Sequence, residues 1–201
     1  MKDKNKIVAI TGQSGSGKST LASFYASKGL TVLDCDQVAK EVHGIKECLD
    51  NLSEYFGDDI ITAEGTLDKK LLSKRAFASR QATQALTDIT HPFIIRLLLE
   101  KAQAAFDSGE NIVFADGAVI IGHDFEQYCD EFIVVVAGLD VQCERIMKRD
   151  GITREQAEER ISQQTPIIQM IKKADYIVYN NSTLEKLFYQ GELILHQITK
   201  I

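Results

Sequence analysis

Eight residues near the N-terminus, Gly12-Gln13-Ser14-Gly15-Ser16-Gly17-Lys18-Ser19, constrain this chain more than any other feature. They fit G-x-x-x-x-G-K-[ST], follow an apolar run from Ile7 to Ile10, and lead into a helical stretch from about Lys18 to Lys28 closed by Gly29. Composition alone would produce the pattern in roughly one chain in a hundred of this length. A buried strand before it and a helix after it make chance a poor account. In that setting the glycines let successive backbone N–H groups face phosphate oxygens, with the positive end of the helix behind them. Lys18 is expected at the β- and γ-phosphates and the Ser19 hydroxyl on Mg²⁺, with Thr20 beside it. ATP is therefore the expected nucleotide and Mg²⁺ the expected cofactor.

The rest of the chain supplies the sheet that such a loop needs. A second short strand from Leu30 to Leu33 ends at Asp34 and Asp36, giving an opening βαβ unit. Ile112 to Ala115 ends at Asp116, Phe132 to Ala137 is apolar throughout, and Tyr176 to Tyr179 is a fifth candidate. Continuously apolar strands need cover on both faces, so the expected fold is α/β, a five-stranded parallel sheet flanked by helices. Helical periodicity fills the interval between the second and third strands, at Lys69–Ala78, Ala82–Ile89 and Phe93–Phe106, with Thr90-His91-Pro92 as a helix start. After the fourth strand a helix reaches Arg149, Gly151 interrupts it, and Thr153 with Gln156 makes a capping box for a charged helix to about Gln164. Ser182 with Glu185 repeats that pattern before a last helix from about Thr183.

With 201 residues the chain suits one core with insertions, and 44% hydrophobic with 26% charged residues excludes a disordered or fibrous class. A net charge of -6 argues against a broad nucleic-acid surface, and no apolar run reaches spanning length or forms a secretory leader. The four cysteines, Cys35, Cys48, Cys129 and Cys143, show no C-x-x-C pair and are expected as reduced thiols in a cytoplasmic protein.

Carboxylates at strand ends are the candidates for chemistry, because ligands gather there in open α/β sheets. Asp36 is the candidate base for an attacking hydroxyl, against the alternative that it caps the following helix from Gln37 to His43; Asp34 is an even choice. Asp116 is expected to help hold Mg²⁺. Arg145, Arg149, Arg154 and Arg160 crowd the charged stretch, and Arg149, beside the Gly151 break, is the first choice for a phosphate contact. His91 is a candidate substrate contact against its helix-start reading.

Taken in order, Ile10-Thr11-Gly12 with the loop, Asp34-Cys35-Asp36, Leu67-Asp68, Leu86 to Ile89 with Thr90-His91-Pro92, Glu144-Arg145 with Met147, Arg149-Asp150-Gly151, Arg160-Ile161 with Gln164 and Pro166, and Ala174-Asp175 before Asn181-Ser182 resemble the dephospho-CoA kinase family over nearly the whole chain. The resemblance implies a P-loop NTP hydrolase fold. Residues 1–35, 110–146 and 174–201 would form the nucleotide-binding core, 36–109 a helical acceptor-binding insertion and 147–173 a lid. It implies transfer from ATP to the ribose 3′-hydroxyl of dephospho-CoA, with Asp36 as general base and Arg149 as a lid arginine, a small-molecule acceptor, and neither nucleic acid nor membrane as partner. One departure stands out. The family carries D-x-P-L-L-F-E after the third strand, where this chain reads Asp116-Gly117-Ala118-Val119-Ile120-Ile121-Gly122, with Glu126 the candidate to compensate. That departure keeps a second expectation open, a kinase of another nucleotide or nucleoside.

Overall fold

The computed structural model describes residues 5–199, which divide into two compact units, 5–34 with 102–199, and Cys35–Lys101.

The first unit is built on five parallel strands, β1 (Lys6–Thr11), β2 (Val32–Asp34), β3 (Ile112–Asp116), β4 (Glu131–Val136) and β5 (Tyr176–Tyr179), in the order β2-β3-β1-β4-β5. This is the expected sheet, with β2 starting two residues later than its apolar run. Side-chain alternation distributes its core to two faces. Val8, Ile10, Ile133 and Val135 pack with Leu21 and Tyr25 of α1 (Lys18–Ser27) and with Leu187, Ile194 and Ile198 of α9 (Leu184–Thr199). Val134 points the other way, to Ile121 and to Met170 of α8 (Ile167–Lys173). Both faces are covered, which is why the strands read as unbroken apolar runs. Tyr25 lies over Phe114 at a centroid distance of 4.5 Å and donates its hydroxyl to the Gly191 carbonyl at 3.0 Å, tying α9 to α1.

Two further helices complete this unit. α6 (Leu139–Asp150) stops at Gly151, which takes the left-handed conformation at φ 66. α7 (Arg154–Ser162) opens with the expected capping box of Thr153 and Gln156 and ends two residues before Gln164.

The second unit holds α2 (Cys35–Glu41), a 3-10 turn at Val42–Gly44, α3 (Lys46–Phe56), α4 (Lys69–Ala76) and most of α5 (Arg80–Asp107). Its core joins Leu52, Phe56, Ile60, Leu72 and Phe93. Asp68 caps α4 by accepting from Lys70 and Leu71 N–H at 3.0 and 2.9 Å.

Two readings change here. Thr90-His91-Pro92 starts no helix, because α5 runs unbroken for 28 residues with Pro92 inside it. An interior proline costs about 3 kcal/mol. Here Ala82, Ala85, Leu86 and Ile89 before it and Phe93, Ile94 and Leu97 after it pack into one core as a single stripe, which outweighs that cost. The Thr90 hydroxyl donates to the Leu86 carbonyl at 2.8 Å just ahead of the proline. Asp36 does not precede its helix as a cap either, since α2 already begins at Cys35 and holds Asp36 in its first turn.

Candidate active site

The loop between β1 and α1 is shaped by what it must avoid. A Cβ on Gly12 would meet the Val135 carbonyl oxygen at 2.4 Å, and one on Gly17 would meet Asn180 Nδ2 at 2.1 Å. Gly17 also adopts φ 96, a left-handed conformation that favours glycine. Thus the first loop glycine lets β1 pass close to β4, and the last lets the chain turn into α1.

The carbonyls of the loop are held from behind. Arg145, on α6, donates to the Gly15 and Ser16 oxygens at 3.1 and 3.3 Å and to the Asn180 carbonyl at 3.1 Å. Asn180, 4% exposed just beyond β5, donates to the Ser16 oxygen at 2.7 Å. The Ser16 N–H, in the peptide of the Gly15 carbonyl, donates to the Gln13 carbonyl at 3.1 Å, whereas the Ser16 carbonyl held to one side leaves the Gly17 N–H for the other. α1 then begins without a capping side chain or an acid in its first turn. Thr11 Oγ1 and Ser16 Oγ are buried, and neither finds a hydrogen-bond partner among the described residues. Buried hydroxyls left in that state suit a ligand rich in oxygen.

Lys18 is half-buried and Ser19 exposed, both in the first turn of α1, with Thr20 next. Asp116 ends β3 as the register partner of both Ile10 on β1 and Asp34 on β2. Asp116 is 8% exposed, whereas Asp34 is open to solvent. The sheet therefore brings two carboxylates to the strand ends from which the loop departs. Asp36, in the second unit, is exposed two residues past the end of β2. Among the described residues no cluster of three or more His, Cys, Asp or Glu can hold a metal.

Among the described residues the hydrogen bonds of Arg149 go to Asp150 and none to the loop. Arg149 makes a two-point pair with Asp150 at 2.7 and 2.8 Å, and Arg160 also bonds Asp150. The Arg149 guanidinium, followed by that of Arg160, holds the Asp150 carboxyl down at about 2. Arg154 is likewise engaged, by Asp140 and Glu158.

The altered segment after Asp116 is packed and pinned. Ile120 and Ile121 are buried, and the Gly122 N–H donates to Glu126 Oε2 at 2.5 Å while Lys173 pairs with the other oxygen. The Gly122 hydrogen bond, then Lys173, keep the Glu126 carboxyl below its ordinary range.

The second unit contains its own cavity, about 830 Å³ between α3 and α5. Tyr55, Ile89, Pro92 and Phe93 provide its apolar lining, and Glu47, Glu54, Asp88 and Arg96 its charges. Arg96 lies over the Phe93 ring at 5.0 Å and 3.6 Å from Glu47. His91 is half-buried between Thr90 and Pro92 in the middle of α5.

Motif reading proposes Lys18, Ser19 and Asp116 as site residues and ranks Arg145 below Arg149. It missed Asn180 and the side chain of Gln164, which bonds Ser14 from across the sequence. The four-residue spacing of Arg145 and Arg149 on one helix was the available signal for the former; for the other two no local pattern exists.

Comparisons with known proteins agree with this geometry. A sequence model described as dephospho-CoA kinase matches residues 6–186. The dephospho-CoA kinase of Listeria monocytogenes is 33% identical over 200 residues, covering 97% of this chain and 98% of that protein. That of Fusobacterium nucleatum is 34% identical over 186 residues, covering 92% and 95%. Among solved structures, the dephospho-CoA kinase of Campylobacter jejuni superposes with a TM-score of 0.72 at 25% identity, covering 96% and 97% of the two chains.

Proposed function

The chain belongs to the dephospho-CoA kinase family, and we propose that it transfers the γ-phosphoryl group of ATP to the ribose 3′-hydroxyl of dephospho-CoA, giving CoA and ADP in the last step of CoA biosynthesis. The observation that carries this reading is the family match over residues 6–186, which takes in the loop, both strand-end carboxylates and the altered segment alike.

Phosphoryl transfer asks a protein chiefly for position and charge. The N–H groups of Gly15, Gly17, Lys18 and Ser19 receive the phosphates, whereas those of Ser16 and Thr20 donate to the Gln13 and Gly17 carbonyls. Lys18 offsets charge on the β- and γ-oxygens. Ser19 and Asp116 would offer the hard oxygens that suit Mg²⁺. When bound beside Ser19 and Asp116, Mg²⁺ would supply positive charge against the negative charge that develops during transfer. Asp36 accepts the proton of the attacking hydroxyl, and Asp34, two residues earlier, ends β2 beside Asp116. Arg149 serves the nucleotide by exchanging Asp150 for a phosphate.

For the acceptor, the α3–α5 cavity has a volume in the range of small-molecule sites. Three carboxylates against one guanidinium make it a poor home for a diphosphate, so the uncharged pantetheine arm is the part it suits. His91 stands beside Pro92 of that lining and is the candidate contact nearest to it in sequence. The test is product identification: incubation with ATP, Mg²⁺ and dephospho-CoA should yield CoA by mass spectrometry, in step with ADP. ADP without CoA would sink the acceptor assignment.

A further inference from the structure

The front half of the phosphate loop is held by a different element from the back half. Ser14 N–H donates to Gln164 Oε1 at 2.8 Å, and Gln164 Nε2 donates to the Ser14 hydroxyl oxygen at 3.1 Å. One residue earlier, Gln13 Nε2 donates to the Thr165 carbonyl at 3.2 Å, and Gln13 is 8% exposed. A backbone N–H only donates, so Ser14 itself fixes which end of the Gln164 amide faces it. Gln164 belongs to the turn that leaves α7 for α8, and α7 carries Arg154 and Arg160. Arg145 and Asn180 meanwhile hold the carbonyls of Gly15 and Ser16. The loop is thus suspended between two supports, with Gly15 at φ 76 turning between them.

We infer that Gln164 is a positioning residue for phosphoryl transfer, clamping Ser14 so that the loop presents its phosphate-facing groups in register, and making the α7–α8 turn the fixed end of the arginine-bearing segment. The inference rests on the kinase reading of the loop. Single hydrogen bonds at a half-buried site contribute little to stability, whereas a displacement of about 1 Å in a reacting geometry costs on the order of a hundredfold in rate. A clamp of this kind is therefore expected to act on turnover far more than on folding.

The test compares Gln164→Ala, Ser14→Ala and the double variant, each read for kcat, ATP affinity and melting temperature. Gln164→Asn keeps the amide but is one methylene too short, and it stands in if the alanine variant does not fold. The expected result is a fall in kcat of at least about fivefold at Gln164, with ATP affinity changed less than kcat and the melting temperature close to the parent's. In the double variant, Ser14→Ala should add less than it does alone. A smaller fall in kcat, a fall matched by lost melting temperature, or full additivity would each overturn the inference. Hydrolysis of ATP with water as acceptor carries the same comparison. An error about dephospho-CoA would then appear as an inactive parent on that acceptor, separately from any failure at Gln164.

Discussion

Asn180 Nδ2 lies 2.7 Å from the Ser16 carbonyl oxygen and in the space that a side chain on Gly17 would fill. The pair joins the end of β5 to the phosphate loop across 164 residues of sequence. Asn180→Ala leaves a buried carbonyl with only the longer Arg145 contact, so the unfolding free energy should fall by about 1–3 kcal/mol. ATP affinity should weaken with it, as titration calorimetry would read. Gly17→Ala should abolish ATP binding, and adding Asn180→Ala should not restore it, because the left-handed backbone at Gly17 stays unfavourable for alanine after the clash is gone.

The α3–α5 cavity makes a separate prediction. Ile89→Trp fills its apolar lining without touching the loop's sequence. The KM for dephospho-CoA should rise by about tenfold or more while that for ATP stays within about twofold. Equal changes in both would detach the cavity from the acceptor.

The charged cluster of α6 and α7 has a readable titration. Asp150 is depressed to about 2 by Arg149 first and Arg160 next, against an ordinary value of about 3.9. A depressed acid contributes fully above its unfolded value and loses that contribution as pH falls through the folded one. The pairing should therefore be complete at pH 5 and fade only toward pH 2. Carboxyl NMR of Asp150 should show that midpoint, and Arg149→Ala should move it upward; an unmoved midpoint would contradict the pairing.

Thiol chemistry offers a further check. Burial, followed by Asp130 and Glu126, pushes the Cys129 thiol up to about 12, and burial, followed by Glu47, takes Cys48 to about 11. At pH 8 their thiolate fractions are on the order of one in a thousand or less. Cys143 is buried and raised as well. These three should stay unmodified by an aromatic disulfide reagent in the native protein and react after denaturation. Cys35, half-buried at the start of α2, is the thiol on which native reactivity should concentrate.

The legible parts of this molecule were those written in local pattern. The loop announced itself by residue type and spacing, the strands by unbroken apolar runs that only a doubly covered sheet explains, and α7 by its capping box. Pro92 misled because its local cost is real and only the packing of Ile89 and Phe93 into one core reverses it. The contacts of Arg145, Asn180 and Gln164 are illegible for another reason, although Arg145 and Gln164 themselves stand in the sequence pattern. Their partners lie 130, 164 and 150 residues away, and what they bind is mainly backbone, which leaves no complementary residue in the sequence to suggest them. Asp150 was passed over beside Arg149 because an adjacent pair of opposite charges reads as ordinary surface.

The most direct measurement is ADP release with ATP, Mg²⁺ and dephospho-CoA, run beside an Asp36→Asn variant whose ATP binding is measured separately. Turnover in the parent, reduced by at least about a hundredfold in the variant with ATP affinity retained, is the result this account predicts. An Asp36→Asn enzyme that turns over dephospho-CoA at the parent's rate would contradict the assignment of the base, and a parent that binds ATP but never phosphorylates dephospho-CoA would contradict the proposed reaction itself.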